Sequence, residues 1–254
     1  MHDLASYQDS YRNIRFTRSD GILQVQIHQD GAEAVWAADR GGIHEQMGDA
    51  FYRIGHDPEN RIIILTGTGS EFLARMNSGA GGEPMDTAYW YRIFKEARDL
   101  LNNLLEIDMP IIAAVNGPAH VHAELATLSD IVIASDTASF ADKAHAPGGV
   151  VPADGVHVWW QMLLGPNRAR HFLLTGSEIS AAEAKVLGFV AEVVPQDQVV
   201  ARAWEVAREL AKKPTLMLRY SRVSMVQRIK RHMLDDLGYG LMLEGMGIFG
   251  LLGK

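Results

Sequence analysis

RIIILTGTGSEFLA, Arg61 to Ala74, sets the reading of this chain. Ile62 to Leu65 form a short continuous apolar run, and glycines at 67 and 69 close it, the pattern of a strand buried on both faces. Two runs of the same kind follow: IIAAVNG from Ile111 to Gly117, and DIVIAS from Asp130 to Ser135, separated by only a short helix. Before them, Ile93, Ala97, Leu100, Leu101, Leu104 and Leu105 recur at helical spacing and stop ahead of Pro110. Upstream, ILQVQIH (Ile22 to His28) reads as a period-two strand with an irregularity at Leu23, and Ile43 to Ile54 as a helix ending near Gly55. Downstream, TASFADKAHAPGGVVPADG (Thr137 to Gly155) is irregular and rich in Ala, Gly, Pro and Asp, which in an ordered chain marks a functional segment. A helix through HVWWQMLLG, a capped helix SAAEAKVLG with Ser180 and Glu183 as its capping box, and a strand FVAEVV come next. After Pro195 the pattern is helical: Val199 to Lys213, Thr215 to about Lys230, then a glycine-interrupted apolar tail to Lys254. Strands alternating with helices and followed by helices alone predict an α/β (α+β) core over 1–195 and a helical C-terminal region over 196–254.

Composition narrows the function. The 254 residues are 47% hydrophobic and 22% charged, with no cysteine, which removes disulfides, thiolate nucleophiles and cysteine–zinc sites. A net charge of −7 argues against nucleic acid as the main partner. No run reaches the roughly 18 apolar residues of a membrane span. The opening MHDLASYQDSYRNIRF lacks the apolar centre of a signal peptide. The expectation is a soluble cytoplasmic protein.

Taken in order, RIIILTGTGSEFLA, PIIAAVNGPA, ELATLSDIVIAS, ASFAD and LLTGSEISAAEAKVLGFVAEVVP resemble the crotonase (enoyl-CoA hydratase/isomerase) superfamily from about Ile14 to Leu210. The resemblance implies a spiral of ββα units, a C-terminal helical trimerisation region, and backbone N–H groups that hold an enolate or tetrahedral oxyanion. Departures accompany it. Where acyl-CoA enzymes read like FxAGxD, this chain has Phe72-Leu73-Ala74-Arg75-Met76-Asn77, and a side chain at a glycine position is expected to block a close backbone approach. The glycine cluster of NGxAxGGGxE becomes Asn116-Gly117-Pro118-Ala119-His120-Val121-His122-Ala123-Glu124, and the second hydratase glutamate falls near Ala144, beside His145.

His122, His145, Asp154 and Glu244 are instead similar to the site of one branch, 6-oxocamphor hydrolase and related β-diketone hydrolases, with GP-x-x-x-H at Gly117 to His122 and VPxDG at Val151 to Gly155. That branch implies hydrolytic, retro-Claisen cleavage of a carbon–carbon bond in a (bi)cyclic 1,3-diketone, with no cofactor and no coenzyme A. His145 and Asp154 would activate water, His122 and the Met76 N–H would hold oxyanions, Glu244 would join the catalysis, and Trp36, His44, Met76 and Val121 would contact substrate. The partners implied are a small cyclic diketone and copies of the same chain, in a homotrimer or a dimer of trimers.

Each residue has a plainer reading. Asp154 stands just before a helix and fits an N-cap. His145 fits a solvent-exposed loop histidine, Glu244 the wet face of a terminal helix, and Trp36 a core residue. Glu124 reads as an oxyanion-loop or structural residue. His120 and His122, on one side if a strand persists there, would make a zinc or iron site with His145 and Asp154. No HExxH signature completes that set, and the expectation is no metal. RYSRVSMVQRIKRH, Arg219 to His232, reads as a solvated helix face or a phosphate-binding stretch. A CoA-thioester hydratase or isomerase and a degenerate crotonase-fold binding protein remain the alternatives.

Overall fold

The computed structural model describes residues 3–77, 83–251 and 253. A short helix α1 (Leu4–Tyr7) leads into the antiparallel hairpin β1 (Ile14–Ser19) and β2 (Ile22–Ile27), turned at Asp20-Gly21, both at positive φ. There follow β3 (Val35–Trp36), α2 (Ile43–Gly55), β4 (Ile62–Thr66), β5 (Arg75–Met76), α3 (Thr87–Glu106), β6 (Ile111–Val115), α4 (Glu124–Thr127), β7 (Ile131–Ser135) and β8 (Ser139–Phe140). The second half carries α5 (Val156–Leu164), α6 (Pro166–Thr175), β9 (Ile179–Ser180), α7 (Ala181–Leu187), β10 (Glu192–Val194), α8 (Val199–Ala211) and α9 (Thr215–Leu251).

The main sheet has the order β1-β2-β4-β6-β7-β10, parallel from β2 onward. A second, smaller layer runs beside it: β3 pairs with β5, Leu73 bridges Ala119, Ala119 bridges Phe140, and β8 pairs with β9. Successive turns of chain thus give one long strand to the main sheet, one short extended piece to the second layer, and then a helix. This is the expected ββα spiral. The continuous apolar runs occur because both sheet faces are covered. Ile63, Leu65, Ile111 and Ala113 face the main core, while Ile62, Ile64, Ile112 and Ala114 pack under α8. In β2 the odd residue is Ile22, not Leu23, since Leu23, Val25 and Ile27 share the main core and Ile22 lies under α8.

Two expectations about the C-terminal region need correction. The glycine-interrupted tail is no separate element, because α9 continues unbroken to Leu251. Its glycines permit close approach. A Cβ on Gly240 would stand 2.3 Å from the carbonyl of Ala153, and one on Gly245 would stand 2.2 Å from the Trp90 indole nitrogen. The basic stretch is only partly a solvated face. Arg222 is fully buried and ties α9 to the end of α3, donating to the carbonyls of Leu104 (3.2 Å) and Ile107 (2.8 Å) and to Asp130 (2.5 Å). Arg219 pairs with Asp108. Among the described residues, no helix is long and apolar enough to cross a membrane.

Candidate active site

A cavity of about 610 Å³ opens between the second layer, α2, α3, the segment joining β8 to α5, and the last turns of α9. Its walls are largely apolar, with Met76, Tyr89, Trp90, Ile93, Leu241 and Ile248 among them, and its size suits a small organic substrate. The polar groups facing it are few: Trp36, His44, Asn77, His122, Lys143, His145, Asp154 and Glu244. Seven of the eight residues expected at the site therefore converge here from distant parts of the chain.

Each of the three histidines is held by a carboxylate on Nδ1, buried for Asp142 and Glu124 and half-buried for Glu96. His145 lies in the irregular segment, which is ordered by backbone hydrogen bonds from Gly148 and Val150 to its carbonyl. Its Nδ1 sits 2.7 and 2.9 Å from the two carboxylate oxygens of Asp142, and its Nε2 3.3 Å from Asp154 Oδ2 and 4.0 Å from Glu244 Oε1. His122 Nδ1 lies 2.6 Å from Glu124 Oε1 and 3.7 Å from Asp154. His44 Nδ1 lies 2.9 Å from Glu96, whose other oxygen accepts from Arg92 at 2.7 Å. Two of the rings stand against Trp36, which is 4.1 Å from His122 and 5.5 Å from His44 between ring centroids.

Burial and charge give these groups different protonation tendencies. Burial alone would lower His145, but the charges and hydrogen bonds of Asp154 and Asp142 outweigh it and hold the imidazole well above its ordinary value. His122 is raised in the same way, by Glu124 and Asp154 against burial. For His44 burial wins over Glu96, and the ring is held below the ordinary value. Burial would push Asp154 up, yet His145, His122 and His44 draw it well below the usual carboxylate range. Glu244 goes the other way: burial, reinforced by the charge of Asp154, pushes it up to about 8. Among the described residues, Asp154 Oδ1 and Glu244 Oε2 are buried without a hydrogen-bond partner. Such orphaned atoms beside a cavity mark where a polar ligand atom belongs.

Several expectations change. Asp154 is not a cap: the N-cap of α5 is Gly155, and no side chain caps that helix. Val121 does not reach the cavity, because it is 1% exposed and its N–H donates to the carbonyl of Leu73 at 3.1 Å. The strand does not persist to His120, so the two histidines diverge. His120 meets Ser139 Oγ at 2.8 Å, away from the cavity lining. His122 takes φ +48°, the left-handed conformation that glycine adopts freely, and this turns its ring inward. Arg75 blocks nothing, since it points outward to ion pairs with Glu71 (2.8 Å) and Glu33 (3.6 Å). The Asn77 N–H donates to Trp36, so the Met76 N–H, one residue earlier in β5, faces the edge no described strand covers.

The sequence reading passed over Asp142, Glu96, Tyr89 and Trp90, and undervalued Glu124. Asp142 ends the ASFAD motif, and an aspartate three residues before a loop histidine was the available signal. His122, Glu124 and Asp154 also bring three ligand atoms within 4.8 Å, close enough to share a divalent ion. The 2.6 Å contact to Glu124 engages His122 Nδ1, one of the two ring nitrogens that could serve as a ligand.

A family profile described as enoyl-CoA hydratase/isomerase matches residues 17–239. Carnitinyl-CoA dehydratase of Citrobacter koseri is 31% identical over 237 residues, 92% of this chain and 87% of that protein. A solved β-diketone hydrolase from the cyanobacterium Anabaena, bound to (S)-3-oxocyclohexyl acetic acid, is 42% identical with a TM-score of 0.93, covering 96% of this chain and 97% of that one. An enoyl-CoA hydratase/isomerase from Mycobacterium paratuberculosis is 26% identical with a TM-score of 0.85, covering 93% of each chain.

Proposed function

The chain belongs to the enoyl-CoA hydratase/isomerase family, and within that family we propose that it is a cofactor-independent hydrolase opening a (bi)cyclic 1,3-diketone by retro-Claisen cleavage. The observation that carries this reading is the convergence of three carboxylate-held histidines and one buried carboxyl, Glu244, whose pKa burial raises, on a single apolar-walled cavity. The 42% identity to a β-diketone hydrolase along nearly the whole chain supports it. A cyclohexanone carrying an acetic acid arm, the molecule bound to that relative, has the form water would leave on opening a bicyclic 1,3-diketone.

The chemistry runs through this chain's own groups. Water lies between His145 Nε2, Asp154 Oδ1 and Glu244 Oε2, and in the fraction of molecules whose His145 has shed the proton that Asp154 and Asp142 favour, the neutral ring takes a proton from that water as the oxygen attacks one ketone. The tetrahedral oxyanion is held by the imidazolium N–H of His122 and the N–H of Met76. Collapse breaks the carbon–carbon bond and leaves the electron pair as an enolate on the second carbonyl, which faces Trp36 and His44. Glu244 gives its proton to the enolate carbon. His145, 4.0 Å away, then returns the water-derived proton to Glu244, and one water has been consumed.

The carnitinyl-CoA dehydratase relative favours a second reading, a CoA-thioester enzyme. Against it stands Ala144 in place of the hydratase glutamate. Exposed Leu216, Tyr220, Val223, Leu234 and Tyr239 on α9 support association with copies of the chain, as a trimer or dimer of trimers, and the cysteine-free composition suits the cytoplasm. The test is to offer cyclic 1,3-diketones and crotonyl-CoA in parallel. Keto acid formation from a diketone is expected, and conversion of crotonyl-CoA alone would reverse the assignment.

A further inference from the structure

His145 faces more carboxylates than a general base can use. Asp142 lies on its Nδ1, with Asp154 and then Glu244 near its Nε2; His122, His44 and His157 are further titratable rings whose charge reaches Asp154. A neutral imidazole carries one proton, and a carboxylate only accepts, so two carboxylates on opposite ring nitrogens compete for it. The outcome decides whether the site has a base. If Asp154 won, the proton would sit on Nε2 and the lone pair would lie on Nδ1, turned away from the cavity. No proton could then be taken from water.

We propose that Asp142 is the positioning residue of this site: it keeps the His145 proton on Nδ1 and so keeps the Nε2 lone pair in the cavity, a task Asp154 cannot perform. The geometry favours Asp142. Both of its oxygens lie within 2.9 Å of Nδ1, whereas Asp154 approaches Nε2 no closer than 3.3 Å. Asp142 is also held more firmly. The segment carrying it is pinned on both sides, by Ala141 N–H to the Ala119 carbonyl (3.1 Å) and Lys143 N–H to the His120 carbonyl (2.8 Å). The carboxylate is itself 4% exposed. Asp154 is left free to act on the substrate side, with Oδ1 unpartnered among the described residues. This assigns the two aspartates different work, and it rests on the hydrolytic reading only for its kinetic consequence.

The experiment is Asp142→Asn beside Asp154→Asn, read in two ways. An amide at 142 offers its own N–H to Nδ1 and so pins the proton on Nε2. A tautomer-reversing Asp-to-Asn change in a hydrolase triad lowers kcat by about 10⁴. Asp142→Asn is therefore expected to lower kcat by roughly 10³–10⁴ while KM stays within about threefold. The second reading is the ring tautomer of His145 by ¹⁵N NMR, at a pH where the ring is neutral. The wild type and Asp154→Asn should show the proton on Nδ1, and Asp142→Asn on Nε2. This spectrum does not depend on diketone turnover, so it tests the placement even if the substrate class is wrong, and the wild-type spectrum alone decides if Asp142→Asn does not fold. A wild-type ring protonated on Nε2, or an Asp142→Asn protein with unchanged tautomer and kcat, overturns the proposal.

Discussion

Replacing Asp154 with Asn separates a charge from a shape. Asn fills the same volume, and no helix cap is at stake because Gly155 occupies the N-cap of α5. What is lost is a negative charge 3.3 Å from His145 Nε2. An opposite charge at such range shifts a neighbouring pKa by about 1–3 units, and it favours the protonated ring. Its removal therefore lowers the His145 pKa, and the acid limb of the pH–rate profile should move to lower pH by about that amount. The plateau should still fall, on the order of a hundredfold, because the carboxylate oxygen that receives the water is replaced. The stability effect has its own sign. Asp154 is held below its ordinary value in the folded protein, so its contribution is present above its unfolded pKa and is lost as pH falls through the folded one. The variant should lose on the order of 2 kcal/mol near neutral pH, a Tm drop of about 4–8 °C, and the gap should close in acid. Steady-state kinetics from pH 5 to 10, beside thermal unfolding carried to pH values below the ordinary aspartate pKa of about 3.9, reads all three effects. An acid limb that stays put, with activity lost only in step with folded protein, would refute the reasoning and leave Asp154 as a structural residue of the loop.

Further outcomes follow from the same geometry. His122→Ala should reduce kcat by about 10²–10³, the usual cost of one oxyanion donor, and stopped assays at saturating diketone would show whether KM is spared. Glu244→Gln keeps the neutral shape but has no proton to give the enolate carbon, so kcat should fall steeply, and the decline in rate above about pH 8, where the carboxyl ionises, should disappear from what activity remains. Gly245→Ala sets a methyl 2.2 Å from the Trp90 ring, which must shift toward the cavity; a stability loss of about 1–3 kcal/mol and a raised KM are expected in denaturation and kinetics. Exhaustive chelation should leave turnover intact, whereas a loss restored by zinc would assign an ion to His122, Glu124 and Asp154.

The fold was legible where burial on two faces writes itself as a continuous apolar run, as in Ile62 to Leu65 and Ile111 to Val115. It was less legible where position rather than composition decides. The edge strand β1, IRFTRS, alternates exposed Arg15, Thr17 and Ser19 with half-buried Phe16 and Arg18 and carries little signal. The α9 glycines look like helix breakers until Trp90 and Ala153 stand beside them. Site residues surfaced where their chemistry was local, as with His122 and His145. Their Nδ1 partners did not all surface. Glu96 meets His44 across 52 positions, a separation no local pattern encodes. Glu124 is visible in the sequence but reads there as an oxyanion-loop or structural residue, because its hold on His122 comes with a left-handed turn at His122 that the sequence does not announce.

The central claim is that this cavity adds one water across a carbon–carbon bond of a 1,3-diketone, and the direct measurement is isotopic. The protein is incubated in H₂¹⁸O with a bicyclic 1,3-diketone, and the product is followed by mass spectrometry. The account predicts a keto acid bearing one ¹⁸O in its new carboxylate, formed by the wild type and far more slowly by His122→Ala and Asp142→Asn. An intact diketone, with crotonyl-CoA hydrated at the 1–10³ per second typical of enzymes, would contradict it.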